Sequence, residues 1–175
     1  MKKLLLPLPI ILFTTFASAQ KGNNQIGVAF EAGLPIGDFG DAAKTGFGGL
    51  LKGLYGVGTA GQITFTTGYT HFGIKDLGPD ESGSWWIIPF LAGYRHNFSG
   101  FYVEPQLGYG ILGAKYEYSG ASASDSQGAF AWGAGIGYAK SGFDGGIRYQ
   151  GLSKDGTVSM IGFHVGYNFT LGGAK

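Results

Sequence analysis

The sequence predicts an all-β fold, an eight-stranded antiparallel up-and-down transmembrane β-barrel. Three observations carry that expectation. Apolar residues recur with period two in segment after segment, not with the 3.6 of a helix. Glycine supplies 35 of 175 residues and charged residues only 13%, about half the share usual in soluble domains. After the N-terminal stretch no segment has the length and uniform apolarity of a spanning helix, which leaves a closed barrel as the solution compatible with a bilayer.

The first element is "MKKLLLPLPIILFTTFASAQ". Lys2 and Lys3 precede the apolar run Leu4 to Phe13, and Ala17-Ser18-Ala19 supplies small residues before Gln20. This is the pattern of a cleaved secretory signal peptide over residues 1–19, followed by one barrel domain over 20–175. The apolar run is short for a membrane anchor and holds Pro7 and Pro9. The sequence contains no cysteine, which excludes disulfides, thiolate metal sites and a lipid anchor on cysteine.

Strands are then expected near 25–35, 46–56, 60–72, 84–97, 101–116, 128–140, 143–152 and 157–171. In "QIGVAFEAGL", for example, Ile26, Val28, Phe30, Ala32 and Leu34 alternate with Gln25, Gly27, Ala29, Glu31 and Gly33. The turns at 57–59, 99–100 and 141–142 are short, whereas the connections near 36–45, 73–83 and 117–127 are longer and polar. Short periplasmic turns and long extracellular loops give that asymmetry. "WWIIPFLAGY" is apolar on both faces, so its parity is open. Pro89 and Pro105 remove ladder donors from strands without edges, and a bulge near each is the expected accommodation.

Charges inside apolar segments require an explanation. A two-residue turn at Ser99-Gly100 sets Phe98 against Phe101 and therefore Arg95 against Glu104, on the face that also carries Gln106. The same parity turns Glu31, Lys52, Arg95, Glu104, Asp144, Arg148 and His164 inward, with Gln62, Gln106 and Gln150. With histidine neutral, three cations balance three carboxylates. An Arg or Lys facing lipid at mid-membrane costs roughly 2–4 kcal/mol, whereas in a narrow lumen it pairs. Glu31, Lys52, Arg148 and His164 are expected at mid-height, with Arg95, Glu104 and Asp144 nearer the periplasmic turns. The set reads as a structural plug in preference to a catalytic or transport site. Trp85, Trp86 and Trp132, with Tyr55, Tyr69, Tyr94, Tyr138 and Tyr167, are expected in interfacial girdles.

Other motifs carry less. Gly56-Val-Gly58-Thr-Ala-Gly61 spells a dinucleotide fingerprint, but an alternating strand follows it where that chemistry needs a helix. His71, His96 and His164 fall at the outer rim, the periplasmic rim and the lumen, too dispersed to share a metal. Asp38 with Asp41, and Asp76 with Asp80 and Glu81, lack the EF-hand spacing. Near-neutral net charge gives no footprint for nucleic acid.

His164-Val-Gly166-Tyr-Asn-Phe169-Thr-Leu171 resembles the last-strand signal that outer membrane barrels present to their assembly machinery, although "GGAK" follows it here. "EAGLPIGDFGDAAKTGFGG" resembles the first hairpin of small outer membrane β-barrel proteins common in Bacteroidota. The whole chain after cleavage is similar to that group, related in architecture to the eight-stranded OmpX and OmpA barrels. The resemblance implies the fold, the cell outer membrane, and outer membrane lipids and assembly machinery as partners. It transfers little function. The sequence itself points to a non-enzymatic, monomeric protein without cofactor, acting in envelope integrity or adhesion through an extracellular partner of its loops. Three other readings stay open: a small diffusion channel, allowed by inward glycines at 27, 33, 108, 110, 133, 135 and 137; a lipid- or peptide-hydrolysing enzyme; and a secreted lipocalin-like barrel.

Overall fold

The computed structural model describes residues 24–78, 81–118 and 121–171; the expected signal peptide, Asp80 and the "GGAK" tail lie outside them. Eight strands form one closed barrel in sequence order: β1 Gln25–Ile36, β2 Gly46–Val57, β3 Gly61–Gly73, β4 Glu81–Phe98, β5 Phe101–Tyr118, β6 Ala121–Lys140, β7 Phe143–Ser153 and β8 Thr157–Thr170. Every neighbouring pair is antiparallel, and β8 closes on β1 from Gln25↔Thr170 to Ile36↔Ser159. A short helix, α1 (Asp38–Ala42), interrupts the β1–β2 connection.

Turn chemistry fixes the register on the short-turn side. Ser99 and Gly100 have φ of 54° and 104°, and Ser141 and Gly142 have 53° and 88°. Positive φ at both central residues is the two-residue hairpin geometry whose twist suits the flanking strands. It sets Phe98 against Phe101 and Lys140 against Phe143.

The prolines produce no bulge. Leu91↔Gly108 and Gly93↔Gln106 on one side of Pro105, and His96↔Val103 on the other, keep one offset. Thr67↔Phe90 and Thr70↔Ile87 likewise keep one offset past Pro89. Each proline lacks its donor toward a single neighbour, so pairing continues on the opposite side, as Pro89↔Gly110 and Pro105↔Ala134.

Strands β4, β5 and β6 are longer than the sequence pattern indicated. Residues 121–127, expected as loop, continue β6 and pair with 112–118 of β5. All seven are exposed, so no buried face imposes an apolar alternation on "ASASDSQ". The β6–β7 ladder begins only at Phe130↔Ser153. A ribbon thus rises above the barrel, and its β6 edge has no ladder partner over 121–129 among the described residues.

The outer wall is apolar: Phe30, Phe65, Leu107, Ile136 and Phe169 are each more than half exposed. That is the reverse of a lipocalin-like barrel, which would turn this face inward. Trp86 stacks on Tyr69 and Trp132 packs against Tyr149 on this outer surface. Trp85 does not join them. It faces inward, pairing with Phe72 and meeting the Phe39 ring edge-on at 6.1 Å.

Candidate functional site

The lumen is filled in layers. Near the short turns, Gln25, Gln62, Asn97 and Asn168 line a vestibule of about 230 Å³ whose inner wall includes Arg95. Asn97 donates to Gln62 Oε1 at 3.2 Å, and Gln62 donates to Gln25 at 3.4 Å.

Above it lies a continuous charge network. Glu104 accepts from Arg95 Nε at 2.9 Å, Lys52 Nζ at 3.1 Å, Thr64 Oγ1 at 2.8 Å and Gln106 Nε2 at 2.9 Å. Asp144 accepts from Arg95 Nη1 at 2.8 Å, Tyr102 OH at 2.7 Å and Asn168 Nδ2 at 2.9 Å. His164 Nε2 lies 3.0 Å from Tyr102 OH and 3.4 Å from Asp144. The Arg95 guanidinium sits 3.7 Å over the Tyr102 ring. Strand position alone put Lys52 and His164 at mid-height; tilt of the strands and the reach of the side chains bring both into this lower layer. Glu31 and Arg148 form a separate pair, with Arg148 Nη2 at 2.8 and 3.0 Å from the carboxylate oxygens and Thr70 donating to Glu31 at 3.2 Å. All of these residues are buried, Glu31 completely. Their pairing offsets part of the cost that an isolated buried charge would carry.

The upper lumen is apolar. Phe72, Ile87, Leu91, Leu112, Leu152 and Met160 form one cluster with Ala129 and Ala131. Phe39 closes it from α1, 5.3 Å from Phe72 in an edge-on contact. Glycines make room for these side chains, an added Cβ coming within 2.3 Å of Phe72 at Gly46 and 2.7 Å of Leu152 at Gly110, and in the charged layer below within 2.5 Å of Tyr102 at Gly137. Of the inward glycines that left a channel open, Gly110 and Gly137 are therefore spaces into which opposing large residues fit.

Sequence reading missed this apolar half. Its signal was the two-sided apolarity of "WWIIPFLAGY", where Trp85, Ile87, Pro89 and Leu91 face in while Trp86 and Phe90 face out. It also missed Phe39, a lone aromatic among acids, and Thr64 and Tyr102, which parity turns inward but which carry no formal charge. Of the terminal-strand residues, His164 faces the lumen, Gly166 lies within close reach of Val28 and Ala29, and Phe169 and Leu171 are half exposed on the outer wall. Among the described residues, no three His, Asp or Glu gather to hold a metal ion.

The matching family is the outer membrane protein beta-barrel domain, over residues 6–169. The chain belongs to that family. As an outer membrane barrel it also shares its fold with solved structures of the same kind. Ail, the attachment invasion locus protein of Yersinia pestis, has 21% identity and a TM-score of 0.66 over 86% of this chain and 100% of that one. Ail has also been solved with the heparin analogue sucrose octasulfate, at a TM-score of 0.67. Neisserial surface protein A has 17% identity and a TM-score of 0.59, over 85% and 97% of the two chains. The N-terminal barrel of Pseudomonas aeruginosa OprF has 16% identity and a TM-score of 0.58, over 85% and 100%. A search of curated proteins finds no match.

The long connections and the ribbon form a crown at one end of the barrel, the end that carries the extracellular loops in barrels of this kind. Its described charges are Lys44, Lys75, Lys115 and Lys154 against Asp38, Asp41, Asp76, Glu81, Glu117, Asp125 and Asp155, so the crown is net acidic. The Gly78 backbone N–H, donating at 2.9 Å, holds the Glu81 carboxyl below its ordinary pKa, with help from Tyr116. Lys115 does the same for Glu117. Both acids therefore stay ionised to lower pH than an ordinary glutamate does.

Proposed function

We propose that this protein is a sealed, non-enzymatic outer membrane barrel that presents its β4–β6 ribbon for contact with a protein at the cell surface. In this reading residues 1–19 are a cleaved export signal, and His164, Gly166, Phe169 and Leu171 belong to the strand read by the assembly machinery. The lumenal charges Glu31, Lys52, Arg95, Glu104, Asp144, Arg148 and His164 have a structural role, closing the lumen together with the apolar layer above them.

The observation that carries the surface role is the β6 edge over 121–129. It offers unpaired main-chain donors and acceptors above the membrane, beside small and polar side chains that do not cover them. An exposed edge of this kind accepts an added strand from another chain. The attachment locus protein Ail lends the adhesive reading its precedent, but its sulfated ligand does not carry over: the net acidic crown repels a polyanion.

The test replaces Lys115–Ser124 with Asn-Gly, which closes the hairpin at Ala114↔Asp125 with a favoured turn. Bacteria displaying the full chain are expected to adhere to a surface coated with serum and matrix proteins. Bacteria displaying the shortened chain, at equal surface level and with an intact heat-shifted band on gels, are expected to lose that adherence. Equal adherence by the two would overturn the surface role.

A further inference from the structure

The lipid-facing wall carries a groove of about 470 Å³ that the charge network and the crown do not explain. It lies on β5, β6 and β7 near the short-turn end. Phe101, Val103, Ile136, Tyr138 and Ile147 form its sides, and Gly145 opens its middle. Gly145 is on the outer face of β7, paired with Tyr138, and its missing side chain leaves the wall low there beside the Phe143 ring, which would stand 3.1 Å from an added Cβ. Behind it the wall is thin. Gly137 and Gly146 have no room for a Cβ because the Tyr102 hydroxyl would lie 2.5 and 2.9 Å away, and Tyr102 itself lines the groove from the lumen side.

We infer that this groove is a binding site for a phospholipid of the periplasmic leaflet, one acyl chain lying over Gly145 and the headgroup phosphate paired with Lys140. Two features of the wall argue for this occupant. The groove is continuous with the apolar surface that faces the bilayer, and the short turns place it in the periplasmic half. Lys140 lies on the same outer face, two residues beyond Tyr138, about 7 Å toward the turn. It is exposed and also borders the vestibule, and the carboxylate near that rim, Asp144, is buried on the lumen side. A cation at headgroup level below an apolar slot is complementary to an anionic lipid.

The inference rests on the outer membrane placement, and one experiment separates the two. Native mass spectrometry is run on the protein released from detergent micelles doped with phosphatidylglycerol or phosphatidylcholine, with heat-modifiable gel migration in parallel. Gly145→Leu fills the slot from the outer face, where an added Cβ meets chiefly the Phe143 ring at 3.1 Å. Ile136→Trp fills it from β6 and serves if the first variant fails to fold. Wild type is expected to retain one phospholipid, and the filled variant to hold it about tenfold more weakly, the loss expected when roughly two methylenes lose their burial. Lys140→Gln is expected to keep the lipid but lose the preference for phosphatidylglycerol. Equal retention by wild type and a folded filled variant would overturn the site, as would a wild-type dimer abolished by Gly145→Leu, which would make the groove a contact between copies. A protein with no heat shift at all would instead overturn the barrel placement.

Discussion

Glu104→Ala is expected to lower the stability of the folded barrel by about 3–5 kcal/mol, the range for removing one partner of a buried ion pair. Glu104 receives Arg95, Lys52, Thr64 and Gln106, so its loss leaves two cations competing for Asp144 in a lumen from which most water is excluded. The measurement is a urea titration in detergent or liposomes, followed by tryptophan fluorescence and by the heat-shifted gel band. Lys52→Met combined with Glu104→Ala is expected to recover part of the loss, because one stranded charge disappears with it. A variant as stable as wild type would show that water or rearranged side chains satisfy Arg95 and Lys52, and that the network holds nothing together.

Phe72→Ala is expected to cost as much by a different mechanism, about 3–5 kcal/mol for a large-to-small change in a packed interior. Phe72 is fully buried and nests against Gly33 and Gly46, where an added Cβ would stand 3.1 and 2.3 Å from its ring. Glycines have no side chains with which to fill the vacated space, so the cavity persists and the cost falls toward the upper end. Gly33→Val alone is expected to destabilise by crowding the ring, yet to recover stability when added to Phe72→Ala. That reversal of sign is a coupling only neighbours show, and denaturant midpoints of the four proteins measure it. Additive losses would contradict the contact of Phe72 with Gly33.

Much of the architecture was legible because a membrane barrel writes its two faces into alternate residues. Phe30 and Glu31, or Val103 and Glu104, declare lipid and lumen within two positions, and the Ser99-Gly100 turn then fixes which charge meets which. The signal failed wherever the two sides of the wall did not differ. Along Trp85–Leu91 both sides are apolar, so the upper lumen and the inward turn of Trp85 went unseen. Along 121–127 both sides are solvated, so a paired strand read as loop. Pro89 and Pro105 suggested bulges because sequence shows a missing donor but not toward which neighbour it is missing. The function of the crown was least legible, since a main-chain edge is a property of unequal strand lengths and is carried by no residue type.

We propose that this outer membrane barrel is closed through its whole height, by paired charges below and by Phe72, Leu91, Met160 and Phe39 above. Planar-bilayer recording tests it most directly, using protein whose insertion and folding are verified by the heat-shifted band recovered from the same membranes. Wild type is expected to give no discrete conductance steps across the voltage range the bilayer tolerates. Reproducible steps from folded wild type would contradict the sealed lumen and make the diffusion channel the better reading.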